Sequence, residues 1–262
     1  MQRRWLIPLA TGTGAWTILA IAPPCWAAGG VKRVWWLPED YSTTGYHFDN
    51  LFNIVLFETA VAFAAVVIAL IYFVVRYRHR EGHRAVYERG DRPIHLAITV
   101  TLALIVFIAI DMNIVHRSNV SLAEIAEQAP DPESAFVVFV TGEQFNWVIT
   151  YPGTDGQFGT LDDIETRNEM HVPVGEKVLV RITSRDVIHS FNIPQLRVKM
   201  DAVPGMETRV WFEVTEPTKL ELACAELCGW GHYMMKGRVV AESREAVERW
   251  LQEQEQFQEA MR

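Results

Sequence analysis

The segment from Cys224 to Met235 carries the densest group of metal-binding side chains in the sequence. It reads Cys-Ala-Glu-Leu-Cys-Gly-Trp-Gly-His-Tyr-Met-Met, so thiols, an imidazole and thioethers lie within one short stretch. Thiolate, imidazole and thioether groups together favour copper, whereas a closed structural zinc site gains nothing from a methionine. The composition of this segment therefore predicts a copper site.

The second cysteine of this segment bears on the number of metal ions. A mononuclear blue copper centre uses one cysteine, and here Cys228 follows Cys224 after only three residues. Two bridging thiolates imply two coppers, each of which needs a histidine. The segment supplies His232, and His189 in Asp-Val-Ile-His-Ser-Phe is the natural second candidate. The cysteines alone also fit a disulfide, or a zinc site with two cysteines and two histidines.

The joint pattern resembles that of a known family. Cys-x-Glu-x-Cys-Gly-x-x-His-x-x-Met, preceded by Asp-Val-x-His-Ser-Phe and by Lys-x-Asp-x-x-Pro-Gly at residues 199–205, is similar to the dinuclear copper (CuA) site of cytochrome c oxidase subunit II. The resemblance also includes two apolar segments that precede a β-rich head, so it covers nearly the whole chain after an N-terminal segment that we interpret below as an export signal. The resemblance implies a cupredoxin-like Greek-key barrel.

The resemblance also implies roles for the residues of the motif. Cys224 and Cys228 would bridge the two coppers, and His189 and His232 would bind one copper each. Such a centre would move electrons one at a time.

Two further ligands follow only from the resemblance. Met235, rather than the adjacent Met234, would be a weak axial ligand. Glu226 would bind copper through its backbone carbonyl, and its carboxylate would reach a magnesium or manganese ion at the boundary with oxidase subunit I.

The function implied by the resemblance is that of the subunit through which electrons enter a respiratory haem-copper oxidase. A cytochrome c-type donor would deliver single electrons, and haem in subunit I would receive them, reduce O2 to water and drive proton translocation. The copper-bearing subunit of a nitric oxide reductase and a non-redox, structural subunit II of a quinol oxidase remain open alternatives. No Cys-x-x-Cys-His motif is present, so the donor is a separate protein. Nothing in the sequence indicates binding to nucleic acid.

The chain departs from the family where electrons usually arrive. The family's run Gly-x-Gln-Trp-x-Trp is here Gly-Glu-Gln-Phe-Asn-Trp, so Phe145 replaces the exposed tryptophan. The candidates for the residue at which electrons enter from the donor are Phe145, Trp147 and Trp230. The change also favours a haem donor other than ordinary soluble cytochrome c, such as one held within a supercomplex.

A second departure concerns protons. The family commonly has a glutamate near the cytoplasmic start of the second span, and here His95 occupies the aligned position. Imidazole titrates near neutral pH, so His95 is a candidate for admitting protons. Glu58 in the first span and Cys25 receive no role.

The first half of the chain predicts an export signal and a membrane hairpin. Residues 1–28 begin with a basic stretch and end in small residues, as signal peptides do. Residues 29–116 contain apolar segments at about 51–75 and 94–114, which are long enough to span a bilayer. Six arginines between them, against three acidic residues, place the connecting loop in the cytoplasm. We therefore expect a bacterial plasma-membrane protein with its head on the outer face.

Residues 117–262 predict the exported head. Short apolar and β-branched runs alternate with turn residues, which favours an antiparallel sandwich or barrel. The segment from Pro152 to Asn168 is predicted to be a loop, and the stretch from Ser243 to about Gln258 a helix packed on the outside. The head has 14 Lys and Arg against 24 Asp and Glu, which would attract a basic partner but also simply keeps an exported domain soluble.

Overall fold

The computed structural model describes residues 36–84 and 86–261. The predicted signal segment, with Cys25, lies outside the described residues. The described chain begins with an apolar hairpin and continues into a β-rich head that ends in a helix.

Two long helices form the hairpin. Helix α1 covers Gly45–Tyr77, and a second, continuous helix covers Pro93–Glu127. The second helix comprises α2 (Pro93–Ile105), one π-helical segment (Val106–Asp111) and α3 (Met112–Glu127). Both are long and apolar enough to cross a membrane, because a helix rises about 1.5 Å per residue and the hydrocarbon core is about 30 Å thick. Each helix extends beyond the apolar segment seen in the sequence.

Ten strands build the head. They are β1 Phe136–Glu143, β2 Asn146–Tyr151, β3 Ile164–Arg167, β4 Glu169–Pro173, β5 Lys177–Ser184, β6 His189–Ile193, β7 Val198–Ala202, β8 Thr208–Glu213, β9 Thr218–Cys224 and β10 Lys236–Glu242. One sheet has the order β3-β2-β1-β5-β8 and the other β4-β10-β9-β6-β7. Most neighbours are antiparallel, but β1 with β5 and β4 with β10 are parallel. The predicted β-rich, cupredoxin-like class is confirmed.

Three short strands were missing from the sequence prediction. Residues 164–167, expected to be part of a loop, form β3 along the edge of β2. Strand β4 lies at a sheet edge beside β10, and β7 at another edge beside β6. Edge strands carry more polar residues and end early, so their hydrophobic alternation is weak.

The core lies between the sheets, and it supports the candidate metal-binding loop. Buried side chains from both sheets fill it, including Val140, Ile182, Phe191 and Leu222, which have no exposed surface. At one end this core continues directly into Met235 and Cys228. The loop is therefore built on rigid, close-packed strands.

The C-terminal helix α4 covers Arg244–Met261 and packs on the outside of the head, as predicted. Ser243 Oγ accepts a hydrogen bond from the Ala246 amide at 3.3 Å, the contact expected of an N-cap. Trp250 stacks on His171 of β4 with ring centroids 3.8 Å apart. His171 is in turn hydrogen-bonded to Glu242 at 2.7 Å, which joins the helix to the β4–β10 edge.

Candidate metal site

The candidate site lies where β6 and β9 meet. Strand β9 ends at Cys224, and the loop that follows returns to β10 after Met235. The loop is closed by a hydrogen bond from the Cys224 amide to the Met235 carbonyl at 3.1 Å, and the Ala225 amide donates to Ser190 O of β6 at 3.0 Å. These bonds bring the start of β6, where His189 lies, against the first cysteine.

The sequence-predicted donor atoms converge. Cys224 Sγ lies 3.9 Å from Cys228 Sγ and 3.9 Å from His189 Nδ1. Cys228 Sγ lies 3.5 Å from His232 Nδ1. His189, Cys224 and Cys228 form a group whose ligand atoms all lie within 4.8 Å of one another. Both cysteines are free thiols, so the structure has no disulfide between them.

The two methionines of the loop have different surroundings. Met235 is 1% exposed, and its Sδ lies 3.8 Å from Cys228 Sγ. Met234 is 49% exposed. Because only Met235 points its thioether at the cysteine sulfurs, the geometry favours it as the methionine of the site.

Glu226 contributes its backbone to the same cluster. Its carbonyl oxygen lies 3.2 Å from Cys224 Sγ, and the residue as a whole is exposed. A carbonyl this close to the sulfurs fits a backbone ligand, and the carboxylate is left free to face another molecule.

Asp186 orients His189, a role that the sequence did not reveal. His189 is fully buried, and its Nε2 is 2.8 Å from Asp186 Oδ1 while its Nδ1 faces Cys224. Carboxylates hold metal-binding histidines in this way and leave the other nitrogen for the metal. Burial alone would raise the pKa of Asp186. Hydrogen bonds from His189 and from the Gln144 and Val187 amides stabilise the carboxylate by more than this, so the pKa of Asp186 lies below its usual value.

Two glycines make room for the site. A Cβ on Gly142 of β1 would lie 2.8 Å from His189 Cδ2, too close for ordinary contact. Gly229 has φ of 136°, a region that favours glycine, and a Cβ there would lie 2.9 Å from Gln144 Nε2. Gln144 Nε2 also donates to the Cys228 carbonyl at 2.6 Å, which ties the β1–β2 turn to the loop.

The donor set fits copper. Burial, followed by the neighbouring Cys224, raises the pKa of the Cys228 thiol to about 11, as expected for a sulfur in an apolar setting without metal. The two thiolates, two imidazoles and one thioether are the soft and borderline ligands that copper prefers. The buried thioether is not a ligand that structural zinc sites employ.

The three aromatic candidates for the arrival of electrons differ in exposure. Trp147 is 0% exposed and packs edge-on against His189, with ring centroids 6.0 Å apart. Phe145 is half-buried and packs against the backbone of Gly231. Its ring meets the Trp230 ring edge-on, with the ring centroids 5.5 Å apart. Trp230 is 81% exposed and lies on the loop itself, between Cys228 and His232. Of these three candidates, only Trp230 combines wide exposure with a position in the loop itself.

The other residues considered lie away from this site. His95 is in the first turn of α2, beside the arginine-rich loop, and Glu58 lies within α1. Each has one buried side-chain atom without a hydrogen-bond partner in the described chain, His95 Nδ1 and Glu58 Oε2. The structure does not bring either of them to the cysteines.

A membrane hairpin, a β-sandwich head and a soft-ligand site at one end of the sandwich define a membrane-anchored cupredoxin-like protein. Comparison with known proteins agrees. The family model "Cytochrome C oxidase subunit II, periplasmic domain" matches residues 137–243. The alternative cytochrome c oxidase subunit 2 of Bradyrhizobium diazoefficiens is 30% identical over 247 residues, covering 85% of each chain.

A second relative, the cytochrome c oxidase subunit 2 of Thermostichus vulcanus, is 31% identical over 261 residues and covers 82% of this chain and 77% of its own length. Among solved structures, the periplasmic domain of subunit II of Bradyrhizobium japonicum cytochrome oxidase is 28% identical, with a TM-score of 0.43, over 48% of this chain and 96% of that domain. The chain belongs to the cytochrome c oxidase subunit II family. It is an oxidase subunit, anchored in a membrane with its head on the outer face.

The paired methionines provide a matched test of the site. Met235→Leu keeps the buried volume but removes the thioether 3.8 Å from Cys228, so we expect a changed copper spectrum and reduction potential with little loss of folding. Met234→Leu, at the exposed neighbour, should leave both unchanged. Absorption spectra and potentiometric titration of the copper-loaded chain measure the effect. A spectral change in Met234→Leu but not in Met235→Leu would reverse the assignment.

Proposed function

We propose that this chain is the subunit through which electrons enter a respiratory oxidase that reduces O2, and that it holds a dinuclear copper centre. The observation that carries the proposal is the convergence of donor atoms from β6 and from the loop. His189 Nδ1, both cysteine sulfurs and His232 Nδ1 form a chain of contacts between 3.5 and 3.9 Å. When bound there, two coppers supply one-electron oxidation and reduction.

The protein holds these ligands in a preset arrangement. Asp186 fixes the His189 ring, Gly142 leaves space for it, and Gln144 fixes the Cys228 carbonyl. Cys228 and Met235 are buried at the end of the core, which excludes water from that side of the site. When the site gains or loses one electron, ligands that are already fixed and shielded from water need to move little.

We place the arrival of electrons at Trp230. Its side chain is the most exposed of the three aromatic candidates, and its backbone lies between two proposed ligands. Glu143, two residues before Phe145 in the chain, is paired with Arg167 and Arg185 at 2.7 Å each. A donor that presents a haem edge to the exposed indole fits this face.

Trp230→Ala should slow electron uptake from the haem donor roughly tenfold, the effect expected when an aromatic contact at an interface centre is lost. Uptake from a small chemical reductant should be unchanged, because the ligands remain. Stopped-flow reduction of the purified oxidase measures both rates. Tyr233→Ala, which removes another exposed aromatic residue of the loop, is the matched control, and Phe145→Ala tests the half-buried candidate. Equal rates in Trp230→Ala and the wild type would exclude Trp230.

The remaining proposals concern partners and location. We assign the acceptor to the haem of subunit I, and we expect the exposed carboxylate of Glu226 to share a magnesium or manganese ion with that subunit. The arginine-rich loop between the spans would face the cytoplasm of a bacterial cell, with the head outside the plasma membrane. His95 at the loop end of the second span would help to admit protons.

Copper stoichiometry and electron paramagnetic resonance of the full chain, purified in detergent and loaded with copper, test the proposed centre. We expect two coppers per chain, with one unpaired electron shared by both. One bound zinc, no metal, or a Cys224–Cys228 disulfide that persists under copper loading would contradict the proposal and leave a structural subunit.

A further inference from the structure

Arg197 has a backbone conformation that is unusual for its residue type. It follows the short 3-10 turn Pro194–Leu196 at the end of β6, with φ of 56° and ψ of 28°. This left-handed region favours glycine, because a Cβ crowds the backbone there. A non-glycine residue kept in such a conformation points to a function for its side chain.

The side chain of Arg197 binds the first membrane helix. Its Nε donates to Asp49 Oδ1 at 2.7 Å, and its Nη2 donates to Asp49 Oδ2 at 2.8 Å. The Arg197 side chain is only 10% exposed, and its Nη1 donates to the Pro194 carbonyl at 2.8 Å. A bidentate, largely buried arginine–carboxylate pair fixes both the distance and the relative orientation of the two segments that carry it. Asp49 lies in the second turn of α1, so the pair joins the head to the hairpin.

Several other hydrogen bonds at the same junction do not involve Arg197. The Tyr41 amide donates to Gln195 O at 2.9 Å, and the Thr215 amide donates to Tyr41 O at 2.9 Å. Trp211 Nε1 donates to Ile125 O of α3 at 3.2 Å. These bonds keep the head attached to the hairpin, whereas the ion pair adds a directional constraint next to β6.

Strand β6 links this constraint to the metal site. It runs from His189 to Ile193, and the turn with Arg197 follows directly. At ~3.3 Å per residue, the strand spans about 13 Å. A rotation of the head about the junction would therefore move His189, and the loop paired with it, relative to the spans.

We propose that Arg197 is a positioning residue: its ion pair with Asp49 sets the orientation of the copper-site head on the membrane hairpin, and so the rate of electron passage to the partner subunit. The inference rests on the proposed function. The affected step is the transfer of one electron, which oxidises the site by one electron and reduces the haem acceptor by one. The hydrogen bonds of the Arg197 side chain to Asp49 and Pro194 do not involve the proposed ligands, so we expect copper binding and electron uptake to be independent of it.

Arg197→Gly provides the sharpest test, because glycine suits the left-handed turn. The backbone is kept, whereas the side chain is removed together with its ion pair to Asp49 and its hydrogen bond to the Pro194 carbonyl. In the purified oxidase we expect full copper content, an unchanged resonance spectrum and unchanged uptake from the donor. Passage of the electron onward to haem should slow roughly tenfold, as small misplacements of reacting groups do. Flash-induced electron-transfer kinetics separate the two rates.

A charge swap provides the control. Asp49→Arg alone should slow onward transfer, and adding Arg197→Asp should restore part of the rate, since aspartate tolerates the left-handed region. An onward rate equal to the wild type in Arg197→Gly would overturn the proposal. Loss of copper in Arg197→Gly would also overturn it, because the residue would then support folding rather than position. Absence of copper in the wild-type chain would instead refute the proposed function.

Discussion

Replacing Cys228 with serine is expected to lower oxidase turnover at least about 100-fold and to reduce the copper content of the chain below two ions. Cys228 contacts three of the other proposed ligands: its Sγ lies 3.9 Å from Cys224 Sγ, 3.5 Å from His232 Nδ1 and 3.8 Å from Met235 Sδ. Serine removes the soft thiolate and leaves a harder hydroxyl in a buried position.

Metal analysis, paramagnetic resonance and oxygen consumption with the physiological donor measure the effect of Cys228→Ser. Ala225→Ser adds a hydroxyl at an exposed position of the same loop, so it is a matched control and should keep full copper content and turnover. Two coppers and normal turnover in Cys228→Ser would show that this sulfur does not bridge the metals.

Trp147→Ala is expected to destabilise the head by about 3–5 kcal/mol, the usual cost of truncating a fully buried large aromatic side chain. Trp147 has no exposed surface and packs edge-on against Phe191 at 5.8 Å and His189 at 6.0 Å. The cavity would also loosen His189, so copper affinity should fall together with the free energy of unfolding. Denaturant titration followed by circular dichroism, with and without copper, measures both effects.

Trp147→Phe separates packing from electron arrival. Phenylalanine keeps an aromatic ring in the core and removes an indole nitrogen that is buried without a hydrogen-bond partner in the described chain. We therefore expect a much smaller loss of stability and an unchanged rate of electron uptake. A large fall in uptake with normal stability would instead assign electron arrival to Trp147.

The soft donor set, the apolar hairpin and the β-rich head were all predictable from the sequence, because each depends on local composition or periodicity. The C-terminal helix was predictable for the same reason, since its apolar face and its cap at Ser243 are close together in the chain. Strands β3, β4 and β7 were not predicted, because they are short edge strands whose polar or charged residues interrupt the hydrophobic alternation. Strand β4 is nevertheless mostly buried, since α4 packs against it.

The detailed geometry of the site could not be derived from local pattern. The sequence offered three aromatic residues for the arrival of electrons, and only burial separates exposed Trp230 from buried Trp147. It also gave no indication that Gly142, on the other sheet, leaves room for the His189 ring. Close packing between sheets decides such contacts, and residue spacing along the chain does not encode them.

By itself, the sequence determined which chemistry this protein can hold, because two thiols, an imidazole and thioethers in one loop define a soft-metal site wherever the loop is placed. Only the tertiary structure brought His189 to Cys224 across 35 residues, and Arg197 to Asp49 across 148. Contacts over such separations form only when strand pairing and core packing offset the entropy of closing the intervening chain. For that reason the proposed ligands could be named from the sequence, whereas their orientation and their attachment to the membrane hairpin were decided by the fold.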